Sequence, residues 1–364
     1  MLPFSCNSFF WTPWSAAAQI IFLDLTTPQQ NLYVNLKLGW IKPYERQVGI
    51  ISLLINLFHL IVLTRTSMRT SSINIIMSAI AFTDICSFLF KFYLMIIVFI
   101  EANFTCVETR LYGYVITENS LIIIVDWAKR VSTWLCFSIA LIRTLVVRNP
   151  LDQFYSRLAE PKTAFYVIVG EFIGFLPLNV LKAFQFKIYE YEGYSKCDQN
   201  LRMMVLETRP VDFYQIDNAF YLKLYNAVDG LVSHLIPCIL FPFITFLLVK
   251  ELWKADENRK KLFSSNRAKD SKRTTRLVYY FTLTFFLAEF PYGICSSIAQ
   301  LFYKSSGIMF ILQFFGHLFS MLITANTSTH FIVCMLMSSQ YREAAKSVIC
   351  CGRRVGKVDA KACN

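Results

Sequence analysis

An all-α bundle of seven membrane-spanning helices follows from three features of this chain. Apolar residues make up 55% of its 364 residues and charged ones only 16%, where a soluble domain carries roughly a quarter. The mean hydropathy is +0.45. The apolar residues form seven blocks, at about 44–64, 73–100, 120–147, 163–184, 222–249, 275–303 and 307–337. Each reaches the roughly 20 residues a helix needs to cross about 30 Å of hydrocarbon, and most run longer, which permits tilt. Basic residues gather at alternate block ends. No repeat, low-complexity tract or soluble domain interrupts the pattern. The expected units are a tail at 1–43, the helical domain at 44–337, and an amphipathic helix and tail at 338–364.

Orientation follows from those basic residues. Residues 250–276, after the fifth block, hold Lys250, Lys254, Arg259, Lys260, Lys261, Arg267, Lys269, Lys272, Arg273 and Arg276. Arg65 and Arg69 follow the first block, Arg148, Arg157 and Lys162 the third, and Arg342, Lys346, Arg353 and Arg354 the last. The pattern predicts an extracellular N-terminus and a cytosolic C-terminus. The net charge of +12 is therefore a topology signal, and nucleic acid is not an expected partner. The N-terminal "SAAAQIIFLDL" has small residues but no basic segment ahead of its apolar run, so an extracellular tail is expected rather than a cleaved signal.

Polar residues at bilayer depth cost free energy and so mark candidate functional positions. The first block holds Asn56, and the second holds Asp84 in "AIAFTDICSF". Asn103 in "NFT" is a glycosylation sequon on the expected outer side. Cys106 and Cys197 fall in outer loops, where oxidising conditions allow a disulfide; pairing with Cys6, or none, stays open. The third block carries Asp126, Lys129, Arg130 and Ser132 in "IVDWAKRVSTW" and ends on Arg143, seven residues before Pro150. Residues 185–221 form an outer loop whose Tyr189, Tyr191, Tyr194, Tyr214 and Tyr221 either meet a basic aromatic peptide or are solvated surface. Glu289 precedes Pro291 in the sixth block, where the proline is expected to kink the helix. His317, Asn326 and His330 lie in the seventh. After it, "SSQYREAAKSVICC" predicts a short eighth helix whose Cys350 and Cys351 suit S-palmitoylation, idle thiols being the alternative. No C-x-x-C pair, H-E-x-x-H or G-x-S-x-G occurs, so neither a metal site nor an enzyme is expected.

Asn56, the A-x-x-D ending in Asp84, Arg143 ahead of Pro150, Pro237, Pro291 and "NTSTHFIVC" resemble rhodopsin-like G-protein-coupled receptors. With "TRTSMRTSSIN" (64–74), "ALIRTLVVRNP" (140–150), "EFPYGI" (289–294) and "MSSQYR" (337–342), the chain is most similar to nematode serpentine receptors of class W, relatives of receptors for FMRFamide-like peptides. The resemblance implies a multi-pass plasma-membrane receptor that binds an extracellular short neuropeptide and activates a heterotrimeric G protein. A chemosensory receptor for environmental small molecules or peptides is the alternative, and a transporter or channel the rival class. It implies an activation path through Arg143, Pro150, Pro291 and His330, and a cluster of Asn56, Asp84, Ser132 and Asn326 around a sodium ion, a hydrogen-bonded water cluster being the alternative. The expected ligand pocket holds Lys129, Glu289, Asp126 and His317, of which the Lys129 and Glu289 charges are not supplied by the family pattern. No other cofactor is expected.

The chain also departs from that family. Ile142 replaces the acid that usually precedes the arginine, and the last span reads His330-Phe331-Ile332-Val333-Cys334 in place of N-P-x-x-Y. The tryptophan usual in the fourth span is missing, and Cys106 lies upstream of its usual position. A weak resting lock on Arg143 is therefore expected, with Asp270 the only acid at the start of the sixth helix. Lys129 lies fourteen residues before Arg143, which at about 100° per residue puts the two within roughly 40° of one face. The family position of Glu289 abuts that of Lys129, so a buried Lys129–Glu289 ion pair is expected at the pocket floor, with Arg130 turned away towards Asp126. The competing arrangement pairs Lys129 with Asp126.

Overall fold

The computed structural model describes residues 42–149, 151–198, 200–262, 285–298 and 306–351. Six helical stretches are long and apolar enough to cross a bilayer: Tyr44–Leu63, Ser72–Asn103, Tyr112–Arg148, Pro161–Ala183, Phe220–Lys254 and Phe314–Leu336. A shorter apolar helix, Phe285–Ile298, falls inside the sixth block, whose remainder lies outside the described residues together with residues 1–41. In chain order these are spans 1 to 7. Helix is the outcome because backbone groups in hydrocarbon must be satisfied within their own segment.

Three spans break, two where side-chain hydroxyls compete for backbone carbonyls and one ahead of a proline. In span 2 the Ser87 hydroxyl donates to the Asp84 carbonyl at 2.6 Å. The Phe88 N–H, which an α-helix would send to that carbonyl, goes to Ile85 O at 3.0 Å instead. In span 4 the break at Phe175 precedes Pro177, at the start of the helix Leu176–Ala183, because proline cannot donate to the preceding turn. Span 7 breaks at Ser328, where Thr327 and Thr329 hydroxyls take the carbonyls of Thr324 and Asn326.

Span 5 contains a π-helical turn, Leu231–Leu235, ahead of the helix Ile236–Leu262. The Ile236 N–H donates to Leu231 O, five residues back. The next bond of that register would come from Pro237, which has no N–H. Its would-be acceptor, the Val232 carbonyl, takes the Trp134 indole N–H of span 3 at 3.1 Å instead. Spans 5 and 6 meet almost backbone to backbone here. A Cβ at Gly230 would lie 2.5 Å from Ser297 Oγ, and one at Gly293 would lie 2.9 Å from His234 Cβ.

One apolar core joins Ile76 and Ile80 of span 2, Val131 and Leu135 of span 3, and Cys238 and Phe241 of span 5. A second joins Val62, Met77 and Cys334 to Tyr341, Ala344 and Ala345 of the terminal helix Ser339–Cys351.

The all-α expectation needs one correction. Residues expected as an irregular outer loop form an antiparallel hairpin, Phe186–Tyr194 with Arg202–Pro210, in register from Phe186↔Pro210 to Tyr194↔Arg202. Val205 is fully buried and Leu206 N–H donates to Arg110 O at 3.0 Å, so the loop ahead of span 3 adds a further contact to the hairpin edge. A Cys106–Cys197 disulfide ties the hairpin tip to the same loop.

Candidate functional site

Charged residues crowd the half of the bundle nearest the hairpin. Arg130 of span 3 is 2% exposed. Its Nη2 donates to Asp229 Oδ1 at 2.5 Å, its Nε to Ser233 Oγ at 2.8 Å and its Nη1 to Asn179 Oδ1 at 3.0 Å. The guanidinium also lies 6.0 Å from the Phe175 ring centroid. One side chain thus binds spans 3, 4 and 5, with its donors matched by acceptors as a buried charge requires. Asp126 is ion-paired with Lys182 of span 4. Both pairings on its own helix are thereby overturned: Asp126 holds neither Arg130 nor Lys129, because Lys182 of span 4 takes Asp126 and Asp229 of span 5 takes Arg130. A cavity of about 210 Å³ flanks the Asp126–Lys182 pair, between Ile116, Asn119 and Ile123 of span 3 and Phe186 and Thr208 of the hairpin.

The expected Lys129–Glu289 ion pair is likewise not formed. Glu289 Oε2 meets His234 Nδ1 at 2.9 Å, because the close glycine contact brings the π turn of span 5 against span 6. Tyr292 packs edge-on to the same imidazole, 4.7 Å between centroids, and the described helix runs unbroken through Pro291. Lys91 of span 2 pairs with Glu45 of span 1 at 2.9 Å and donates to Thr324 Oγ1 at 3.3 Å. Lys129 is half-buried and has no hydrogen bond or ion pair among the described residues, although Lys91, Glu45 and Glu289 lie within electrostatic range. His317 lies within range of Glu45.

Below this level Ser132 Oγ donates to Asp84 Oδ1 at 2.6 Å. Asn56 Nδ2 reaches Ser52 O at 2.9 Å and Thr327 Oγ1 at 3.1 Å, not Asn326. Asn326 is engaged by Thr329. Asp84 Oδ2 and Asn56 Oδ1 are buried with no hydrogen-bond partner among the described residues. A carboxylate oxygen and an amide oxygen in that condition fit a small hard cation, which prefers oxygen ligands.

At the other end of span 3, Arg143 makes no hydrogen bond or ion pair among the described residues, and its Nε is buried without a partner. Ile142 is 6% exposed, inside the first core. His330 Nε2 lies 3.4 Å from Cys136 Sγ. His59 Nδ1 lies 2.6 Å from the Tyr341 hydroxyl, with Phe331 packed on both rings. Gln340 Nε2 donates to Ser67 O at 2.6 Å, fastening the terminal helix to span 1 and its following loop. Asn103 is exposed at the end of span 2. Pro150 and Asp270 lie outside the described residues, as do the side chains of Cys350 and Cys351.

Residues 43–352 match the family described as "Serpentine type 7TM GPCR chemoreceptor Srw". The chain belongs to that family. This Srw chain is therefore a multi-pass plasma-membrane receptor of the G-protein-coupled class and not an enzyme, and the transporter or channel alternative falls away. It is also similar to the sex peptide receptor of Drosophila melanogaster, 27% identical over 248 residues that make up 63% of this chain and 54% of that protein. The chain spans about half the length of that curated relative.

Sequence reasoning about this Srw receptor passed over Glu45, Lys91, Lys182, Asp229 and His234. The cost of a charge at bilayer depth could have flagged the first four, as it flagged Asp84.

Proposed function

We propose that this Srw receptor binds a short peptide at the hairpin end of the bundle and activates a heterotrimeric G protein at the Arg143 end. The N-terminus and hairpin then face outside, and the basic segment 250–276 and the terminal helix face the cytosol, in keeping with the charge bias. The observation that carries the reading is the set of charged side chains from spans 1, 2, 3, 5 and 6 beneath a disulfide-tethered hairpin. Such a floor costs stability unless a polar ligand uses it. The sex peptide receptor, named for a peptide, supports that ligand class. The family's description as chemoreceptors favours a second reading, in which the ligand is environmental.

Binding must favour the active arrangement for the equilibrium to shift. Arg143, without an acid beside it, is the group that meets the G protein. Asp84 with Ser132 and Asn56 forms a sodium or proton site that biases the resting state. Asn103 carries glycan, and Cys350 and Cys351 carry palmitate on a membrane-surface helix. A screen of synthetic short peptides, reading G-protein recruitment in transfected cells, tests the central claim. At least one peptide should recruit G protein, with the response abolished in Arg143→Ala. Recruitment by small molecules alone would favour the environmental reading.

A further inference from the structure

The acids of the bundle can be accounted for one by one. Glu45 holds Lys91, Asp126 holds Lys182, Asp229 holds Arg130, and Glu289 holds His234. Asp84 is bonded to Ser132, Glu171 to Ser138, and Glu101 to Lys196. Glu118 lies eleven residues before Lys129 on the same helix, about 16 Å away along the axis. Residues 275–330, the part of the bundle that is only partly described, contain no acid other than Glu289. Glu251 lies at the far end of span 5, twenty-two residues beyond Asp229, about 33 Å along the axis. No acid near Lys129 among the described residues is thus left over for it, although it faces the same interior as Lys91, Glu45 and Glu289.

A cation held out of water without a counter-charge is unfavourable, and a guest that supplies the counter-charge recovers that free energy. The neighbouring residue shows the contrast: Arg130 is matched by three acceptors, while Lys129 has none among the described residues. We infer that the ligand of this receptor carries an anionic group, a carboxylate or an equivalent acid, that pairs with Lys129 above the Asp84–Ser132 contact. The inference rests on the reading that a ligand enters the bundle at the hairpin end. It adds a constraint that reading lacks: an amidated peptide must bring the anion on a side chain, whereas a free acid can use its own terminus.

Two measurements test it. The first needs no ligand. In the purified receptor Lys129→Met should raise Tm, because it removes an uncompensated charge. Lys182→Met should lower Tm, because it strands Asp126. A fall in Tm for Lys129→Met would show that the chain already compensates this charge and would overturn the inference whatever a ligand screen gives. The second uses a synthetic short-peptide library made in matched forms, C-terminal acid against amide and Asp or Glu against Asn or Gln. Neutralising one anionic group should cost active peptides about 100-fold in potency on the wild type and little on Lys129→Met. Lys129→Arg should keep the dependence, and the form that loses potency identifies the source of the anion. Uncharged peptides equally potent on wild type and Lys129→Met would overturn the inference while leaving the peptide-receptor reading intact. Asp24→Asn, which removes the sole acid of residues 1–41, should change neither measurement. A fall in Tm for Asp24→Asn that disappears in the Lys129→Met background would assign the counter-charge to the tail instead and overturn the inference.

Discussion

At the hairpin end of span 3, Cys106 is bonded to Cys197, Leu206 donates to the Arg110 carbonyl, and Arg110 reaches Tyr194 O at 2.6 Å. Glu108 there accepts from the Arg110 and Lys196 backbone N–H groups and from the Ser195 hydroxyl. At the other end of the same helix Arg143 has a buried Nε with no partner among the described residues, and its neighbour Ile142 sits in apolar packing. One end is held by covalent and ionic ties that fix a shape, while the other carries a charge with no bond made among the described residues. A receptor needs that asymmetry. Recognition rewards a preformed site, whereas switching requires that contacts at the transmitting end exchange at little cost.

The largest expected effect bears on the tied half. Arg130→Met should cost about 3–5 kcal/mol, since it strands Asp229 in a buried site. A much lower Tm and reduced surface expression would show it, and a loss below about 1 kcal/mol would mean that the hairpin half is held by the disulfide alone. An intermediate effect is expected at the untied end. Ile142→Glu should restore an acid beside Arg143 and lower ligand-independent second-messenger output several-fold at equal surface expression. Unchanged basal output would show that Arg143 is restrained by groups other than an adjacent acid.

The smallest effect is one of pH. Burial pushes the Glu108 carboxyl up, but the hydrogen bonds from Arg110, Lys196 and Ser195 outweigh it and hold the group below its ordinary 4.5. A depressed carboxyl contributes stability that is present above the ordinary value and lost as pH falls through the folded one. Hydrogen-exchange protection in residues 194–206, corrected for the intrinsic pH dependence of exchange, should therefore be flat at neutral pH and fall only under acid. Protection that persists to about pH 3 would remove Glu108 from the ties.

The spans were legible because apolar length alone dictates a helix in lipid: spans 1, 2 and 4 end within a few residues of their blocks, spans 3 and 5 extend beyond theirs, and the described apolar stretches of spans 6 and 7 fall inside theirs. The hairpin was not. Phe186–Tyr194 and Arg202–Pro210 are too mixed in polarity to announce strands, and they become so by pairing with each other and with the loop at Arg110. Asp84 and Ser132, grouped in the sequence by the family positions they match, are joined by a direct hydrogen bond. Lys129 with Glu289, and Arg130 with Asp126, were misread for a physical reason. Helical spacing gives the direction a side chain leaves its own helix, but the partner is set by which neighbouring helix comes nearest. Here Gly230 and Gly293 let spans 5 and 6 approach until His234 reaches Glu289, and no periodicity encodes that approach.

The π turn of span 5 has a mechanical consequence. Leu231–Leu235 sits level with the charged cluster, pinned by Trp134 on one side and by the glycine contact on the other. Beyond it the helix continues to Leu262, a rod of about 40 Å at 1.5 Å per residue. A rotation of about 10° at the turn swings the far end of such a rod by roughly 7 Å. Span 5 thus has the geometry of a lever, with the π turn as a fulcrum beside the charged cluster and a long arm that runs to Leu262.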